Sequence, residues 1–109
     1  MNAHDRLLLD GVRAGDAAAV SAALAAGAAV EARDEQLHTP LLLAALGDHV
    51  AAAAVLLAAG ADPELADQDG VTSYEHAVRR GFEGMARILR AAGAAGDEPG
   101  SGYEREAGR

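Results

Sequence analysis

The sequence predicts an all-α solenoid of three stacked helix-turn-helix units joined through turn-rich fingers. Three observations predict it. The stretch from Asp34 to Asp62 is echoed 33 residues later by Asp67 to Ala95: Thr39 answers to Thr72, Leu41 to Tyr74, Ala44 to Ala77, Leu56 to Leu89 and Ala61 to Ala94. Gly27, Gly60 and Gly93 form a three-member series at the same interval. The same offset carried backwards makes Leu7 to Ala32 a worn first copy. The copies fall at about residues 5–33, 34–66 and 67–95, which places one domain over 1–95 and a tail over 96–109.

In the middle copy, Thr39-Pro40 marks a helix start. Threonine caps well, and proline at the first helical position lacks an N–H that would have no helical partner. A short helix follows to about Leu46. Asp48 is expected to open a second one, near Val50 to Ala59, with Val55, Leu56 and Leu57 as a buried ridge and Leu57 facing the third copy. Gly60 stops it as a left-handed terminal residue, and Asp62-Pro63 leads into an extended arm. The third copy repeats the scheme: Thr72-Ser73 as the start, Gly81 as the break after Arg80, a second helix near Glu83 to Ala92, and Gly93 as the stop. Neither helix of a pair is long enough to be stable alone, so folding rests on stacking. The position of Leu24 and Leu57 becomes Arg90 in the last copy and Arg87 replaces Ala54, as expected where no further repeat follows. The tail GDEPGSGYEREAGR lacks apolar periodicity and reads as disordered, with Tyr103 its one sticky residue.

Composition narrows the function. A chain of 109 residues supports one domain and buries roughly 65 per cent of its unfolded surface, but 29 residues are Ala and the aromatics amount to one Phe and two Tyr. The core is therefore thin. Asp5 and Asp10 bracket the leucines near the start and no run of about 18 apolar residues exists, which argues against a signal peptide or membrane span and for a cytoplasmic protein. Without Cys there are no disulfides, thiolate metal sites or Cys nucleophile. The net charge of −8 is uneven: nine acidic residues lie between Glu31 and Glu75 against Arg33 alone, whereas Arg79, Arg80, Arg87 and Arg90 make a basic quarter beyond. Nucleic acid is a poor partner, because phosphate binding needs a coherent basic face and the chain has no Lys.

Sites of chemistry fail on spacing. Placing Gly70 at the sixth position of a calcium loop puts Leu65 first and His76 twelfth, where carboxylates are required. Asp67 and Asp69 fit finger turns better. His4, His38, His49 and His76 include no helical i, i+4 pair, so zinc is not expected. Ser21, Ser73 and Ser101 have no glycine-rich elbow, and phosphate-binding loops are absent. No enzyme, cofactor, metal or small-molecule substrate is expected.

The period, Thr39-Pro40-Leu41, the paired small residues Ala44-Ala45 and Ala77-Val78, and the Leu-rich endings before Gly60-Ala61 and Gly93-Ala94 resemble the ankyrin repeat. The likeness spans about residues 5 to 95 and is that of a small three-repeat protein of bacterial type. Some positions depart from the family pattern. Leu37 takes the place of the turn glycine present as Gly70, where a left-handed branched residue costs about 1 to 2 kcal/mol, so another turn is expected there. The family's T-P-L-H histidine is Leu42 in one copy and Glu75 in the other, while His49 matches the G-H histidine and reads as structural. The resemblance implies partner binding on the concave face of fingers and first helices. Positions that vary between copies carry it: Glu35, Gln36, His38, Leu46 and Gly47 in the middle copy, Gln68, Asp69, Val71, Arg79 and Arg80 in the third, with Arg13 and Arg33 from the first. Arg79 and Arg80 are the hot-spot candidates by residue type. The resulting expectation is a non-catalytic adaptor or regulator that binds another protein, with a basic partner suggested by the acidity. The alternative is a dedicated inhibitor or immunity-type partner of one basic protein.

Overall fold

The computed structural model describes residues 2–93. Six helices follow one another in three pairs: α1 (Ala3–Ala14) with α2 (Ala17–Ala25), α3 (Pro40–Gly47) with α4 (Val50–Ala58), and α5 (Ser73–Arg80) with α6 (Glu83–Ala91). First helices pack on first helices and second on second, and an isolated antiparallel bridge between Ala66 and Thr72 is the sole β pairing among the described residues. The expected repeat solenoid is what forms. The tail expected over 96–109 lies outside the described residues.

Local chemistry explains most boundaries. Asn2 caps α1 by accepting from the Asp5 N–H at 2.8 Å, Asp16 caps α2 through Ala19 at 3.0 Å, and Thr39 caps α3 through Leu42 at 3.2 Å. At α5, Thr72 accepts from the Glu75 N–H at 3.2 Å while the Glu75 carboxylate takes the Thr72 N–H at 3.0 Å, a reciprocal capping box. Glu75, where the repeat pattern has histidine, thus closes its helix locally. Ser73 stands where Pro40 stands one repeat earlier, with its buried hydroxyl unpartnered.

Asp48 does not open α4. It closes α3 in the left-handed region at φ 56°, the position held by Gly15 at φ 70° and Gly81 at φ 74° in the other pairs, and α4 starts after His49 with no side-chain cap. The reason is geometric: the chain must reverse within two residues, and that turn needs a left-handed residue. His49 then fills the joint between the first two pairs. A Cβ added at Gly15 would sit 2.6 Å from His49 Nδ1, and one at Gly47 would overlap the opposite edge of the ring. The structural role expected for His49 fits this packing.

The core runs along the stack as Leu8, Val12, Val20, Leu41, Ala44, Ala45, Ala52, Ala53, Leu56, Ala77, Met85 and Leu89. Ala44, Ala45 and Ala77 are fully buried because only small side chains let neighbouring first helices approach. Within the expected ridge, Leu56 is fully buried whereas Val55 and Leu57 are only half-buried. Between the second helices Leu56, and not Leu57, is therefore the main anchor of the middle pair. At the far end Val78, which repeats the position of Ala45, is 53% exposed, and Arg90 lies over the Tyr74 ring at 5.6 Å and donates to its hydroxyl at 2.6 Å.

The finger at Leu37 does not avoid the left-handed conformation. Leu37 sits at φ 64°, close to Gly70 at φ 78° one repeat later. Four hydrogen bonds centred on Asp34 hold the turn: Asp34 N–H to His38 O, Leu37 N–H to Asp34 O, and the Gln36 and His38 N–H groups to Oδ1. Together they outweigh the strain. Leu37→Gly is expected to stabilise the fold by about 0.5 to 1 kcal/mol, since relief of left-handed strain exceeds the added chain entropy. Leu37 is 45% exposed, so little packing is lost. Urea unfolding of both proteins measures this, and a destabilised variant would contradict it.

Candidate protein-binding face

The two fingers are built alike. Asp67 repeats Asp34: its N–H donates to Val71 O at 3.0 Å, its O accepts from Gly70 at 2.9 Å, and its Oδ1 accepts from Asp69 at 2.9 Å and Val71 at 3.0 Å. Each aspartate is the root of a rigid turn. The tips beyond them, Glu35 and Gln36 in one finger and Gln68 and Asp69 in the other, are exposed, and Gln36 and Asp69 hold the same repeat position. Two acidic tips are thus presented on fixed backbone.

Histidines reach both roots. His76, on α5, brings Nε2 to 2.8 Å from Asp67 Oδ2, and His38 Nδ1 lies 3.4 Å from Asp34 Oδ2. A carboxylate can only accept, so His76 carries a proton on Nε2. Burial pushes the Asp34 carboxyl up, but the His38 and Gln36 N–H groups and the His38 ring outweigh it and hold the carboxyl below its ordinary 3.8. Asp67 shows the same balance: burial raises it, and the His76 ring with the Val71 and Asp69 N–H groups lowers it further. Folded carboxyls with lowered pKa values bind protons less readily than unfolded ones. Their stabilisation is complete above about 3.8 and is lost as pH falls through the lowered values. Unfolding free energy is therefore expected to decline below about pH 4, and Asp34→Asn with Asp67→Asn should flatten that decline. An unchanged acid limb in urea melts of the double variant would contradict the assignment.

Four of the expected contact residues make contacts that hold the framework together. Arg33 donates through NH1 to Leu37 O at 2.8 Å and to Ala66 O at 3.0 Å, which ties one finger to the next. Arg13 pairs with Asp34 at 3.1 Å and more loosely with Asp10 at 3.4 Å, bridging the first pair to the Asp34 finger. His38 and Val71 are half-buried and close their turns. Leu46 is half-buried on α3, whereas Gly47, Arg79 and Arg80 are exposed. Arg13, Leu46 and Arg79 share one repeat position and so form a row across the three first helices. Arg79 and Arg80 lie in the last turn of α5, at the end away from the fingers.

A cavity of about 470 Å³ opens between α1 and the Asp34 finger, lined by Arg6, Leu9, Asp10, Arg13, Asp34 and Glu35. It brings Arg13 and Glu35 together with Arg6 and Asp10, which sequence reasoning missed. The spacing 6, 10 and 13 places those three side chains on one helical face, a signal obscured because the first copy is worn. Arg6 and Glu35 have no side-chain partner among the described residues, so they remain available to a ligand. No group of three or more His, Asp or Glu among the described residues could hold a metal ion. No helix among them is long and apolar enough to cross a membrane.

Stacked helix pairs with turn fingers define a helical repeat protein of the interaction type. The chain belongs to the ankyrin repeat family: residues 8–98 match the family model for ankyrin repeats in three copies. Ankyrin repeats are generally protein-protein interaction modules and typically non-catalytic. Comparison with curated proteins gave no match.

Proposed function

We propose that this protein is a non-catalytic adaptor or regulator acting in the cytoplasm, which binds a partner protein on the face made by its fingers and first helices. The observation that carries the reading is the pair of exposed tips, Glu35-Gln36 and Gln68-Asp69, on turns locked by Asp34 and Asp67. Rigid presentation lowers the ordering cost of association. The partner is basic, matched to the acidic tips, with Leu46 and the Arg13 and Arg79 row supplying the rest of the surface and Arg80 its edge. Arg33, His38 and Val71 support that surface by holding the fingers in place. A narrower reading, a dedicated inhibitor of one basic protein, is favoured by the cavity beside Glu35, where a single long side chain of the partner would insert.

Capture from the native host tests the proposal. Unmodified protein should retain a protein that Glu35→Lys with Asp69→Lys loses. Asp48→Lys with Glu83→Lys is the control, because both residues are exposed at the ends of helices farthest from the fingers. Asp62, although also at a helix end, follows α4 as the chain returns to the finger side and its carboxylate accepts from Glu64 at 2.9 Å, so it is no control. Equal retention by all three proteins would refute the proposal.

A further inference from the structure

The cavity between α1 and the Asp34 finger holds charges that are already paired and charges that are not. Asp34 is saturated: Oδ1 accepts from the Gln36 and His38 N–H groups, and Oδ2 meets Arg13 at 3.1 Å and His38 Nδ1 at 3.4 Å, on a side chain only 7% exposed. Arg13 is offset by that carboxylate. On the α1 wall, Asp10 is 62% exposed and holds only the loose 3.4 Å bond from Arg13 on Oδ1. Arg6 stands one helical turn before it, with the buried Leu9 on the same face. Glu35 stands across the cavity on the finger, exposed and without a side-chain partner among the described residues. Three carboxylates against two guanidinium groups leave the lining with one negative charge in excess. An entering anion would find Arg6 and be opposed by Asp10 and Glu35. A cation finds acceptors on two separate walls and an apolar side chain beneath its stem.

We propose, resting on the reading of this face as a protein-binding surface, that the cavity takes an arginine of the partner together with an acidic residue next to it in the partner's chain. The methylene stem of that arginine lies along Leu9, its guanidinium spans Asp10 and Glu35, and the neighbouring carboxylate pairs with Arg6 at the mouth. Guanidinium is selected over ammonium because its planar fork carries five donors in fixed directions, which carboxylates on two walls can share, and because it gives up water more readily. The acidic neighbour follows from Arg6, which would otherwise face the incoming cation uncompensated. A volume of about 470 Å³ has room for both side chains and lies within the range of binding pockets. The basic partner thus carries one acid at this point of contact.

Titration of the nitrogen-15-labelled full chain with the capped peptide alanine-arginine-glutamate-alanine, followed by amide chemical shifts, reads this directly. Shifts should be confined to the neighbourhood of residues 6–13 and 34–38 and saturate in the millimolar range. Citrulline in place of the arginine keeps its shape without its charge and should weaken binding about tenfold, and lysine about threefold. Glu35→Gln and Asp10→Asn should each weaken the arginine peptide several-fold and the citrulline peptide little, whereas Arg6→Gln should weaken the glutamate peptide but not one with glutamine there. All three residues are exposed, and the amide spectrum itself reports that each variant is folded. Asp48→Lys should change no affinity. Absence of saturable shifts at about 20 mM peptide, equal affinity for the citrulline peptide, or shifts centred outside α1 and the Asp34 finger would each overturn the inference. A partner retained in the capture experiment with no peptide bound here would overturn the arginine assignment and leave the face standing. Peptide bound here with no partner retained would support the assignment and tell against the face.

Discussion

Leu56→Ala is expected to remove about 2 to 5 kcal/mol of stability, the largest loss for any single truncation in this chain. Leu56 is fully buried at the centre of the middle pair, with the first and third pairs on either side. Seven of the thirteen other buried residues of the core cluster are alanines, whose side chains are too short to move in and fill a void, so the cavity left behind should persist. A core so rich in alanine has few large side chains to share the loss. Leu57→Ala, at a half-buried site, should cost clearly less. Urea unfolding followed by circular dichroism at 222 nm measures both. Equal costs, or a cost below about 0.5 kcal/mol at Leu56, would contradict the packing described.

Gly15→Ala is expected to cost about 2 to 4 kcal/mol through two additive effects. The residue is left-handed at φ 70°, which an L side chain adopts at about 1 to 2 kcal/mol, and the new methyl would press on His49. The two contributions can be separated. In a His49→Ala background the ring is gone while the strain remains, so Gly15→Ala should then cost at least about 1 kcal/mol less. Identical costs in both backgrounds would show that His49 does not pack in the joint.

What could be read from sequence was whatever adjacent residues decide. Thr39 and Thr72 start helices, and Gly60, Gly81 and Gly93 stop them, because capping oxygen and left-handed glycine act within a few residues. Asp48 was misread for the same reason: aspartate beside a helix looks like a cap. Its register with Gly15 and Gly81 identifies it as the turn residue. Leu37 takes its strained conformation because the Asp34 hydrogen bonds override a local preference. At the face, the exposed tips were legible as variable positions. The bond from Arg33 to Ala66 was not, since it exists only once two fingers lie side by side, and the His76 to Asp67 pair spans a loop and a helix. Arg6 and Asp10 were hidden by the wear of the first copy.

The central claim is that the acidic finger tips steer a basic partner onto this face, and the association rate with the captured partner tests it most directly. That rate should fall as ionic strength rises while dissociation changes little, and Glu35→Lys with Asp69→Lys should reproduce the loss at low salt. Asp48→Lys with Glu83→Lys should leave the rate unchanged. Equal association rates for the finger variant and the unmodified protein at low ionic strength would contradict the claim and leave solubility as the role of the acidity.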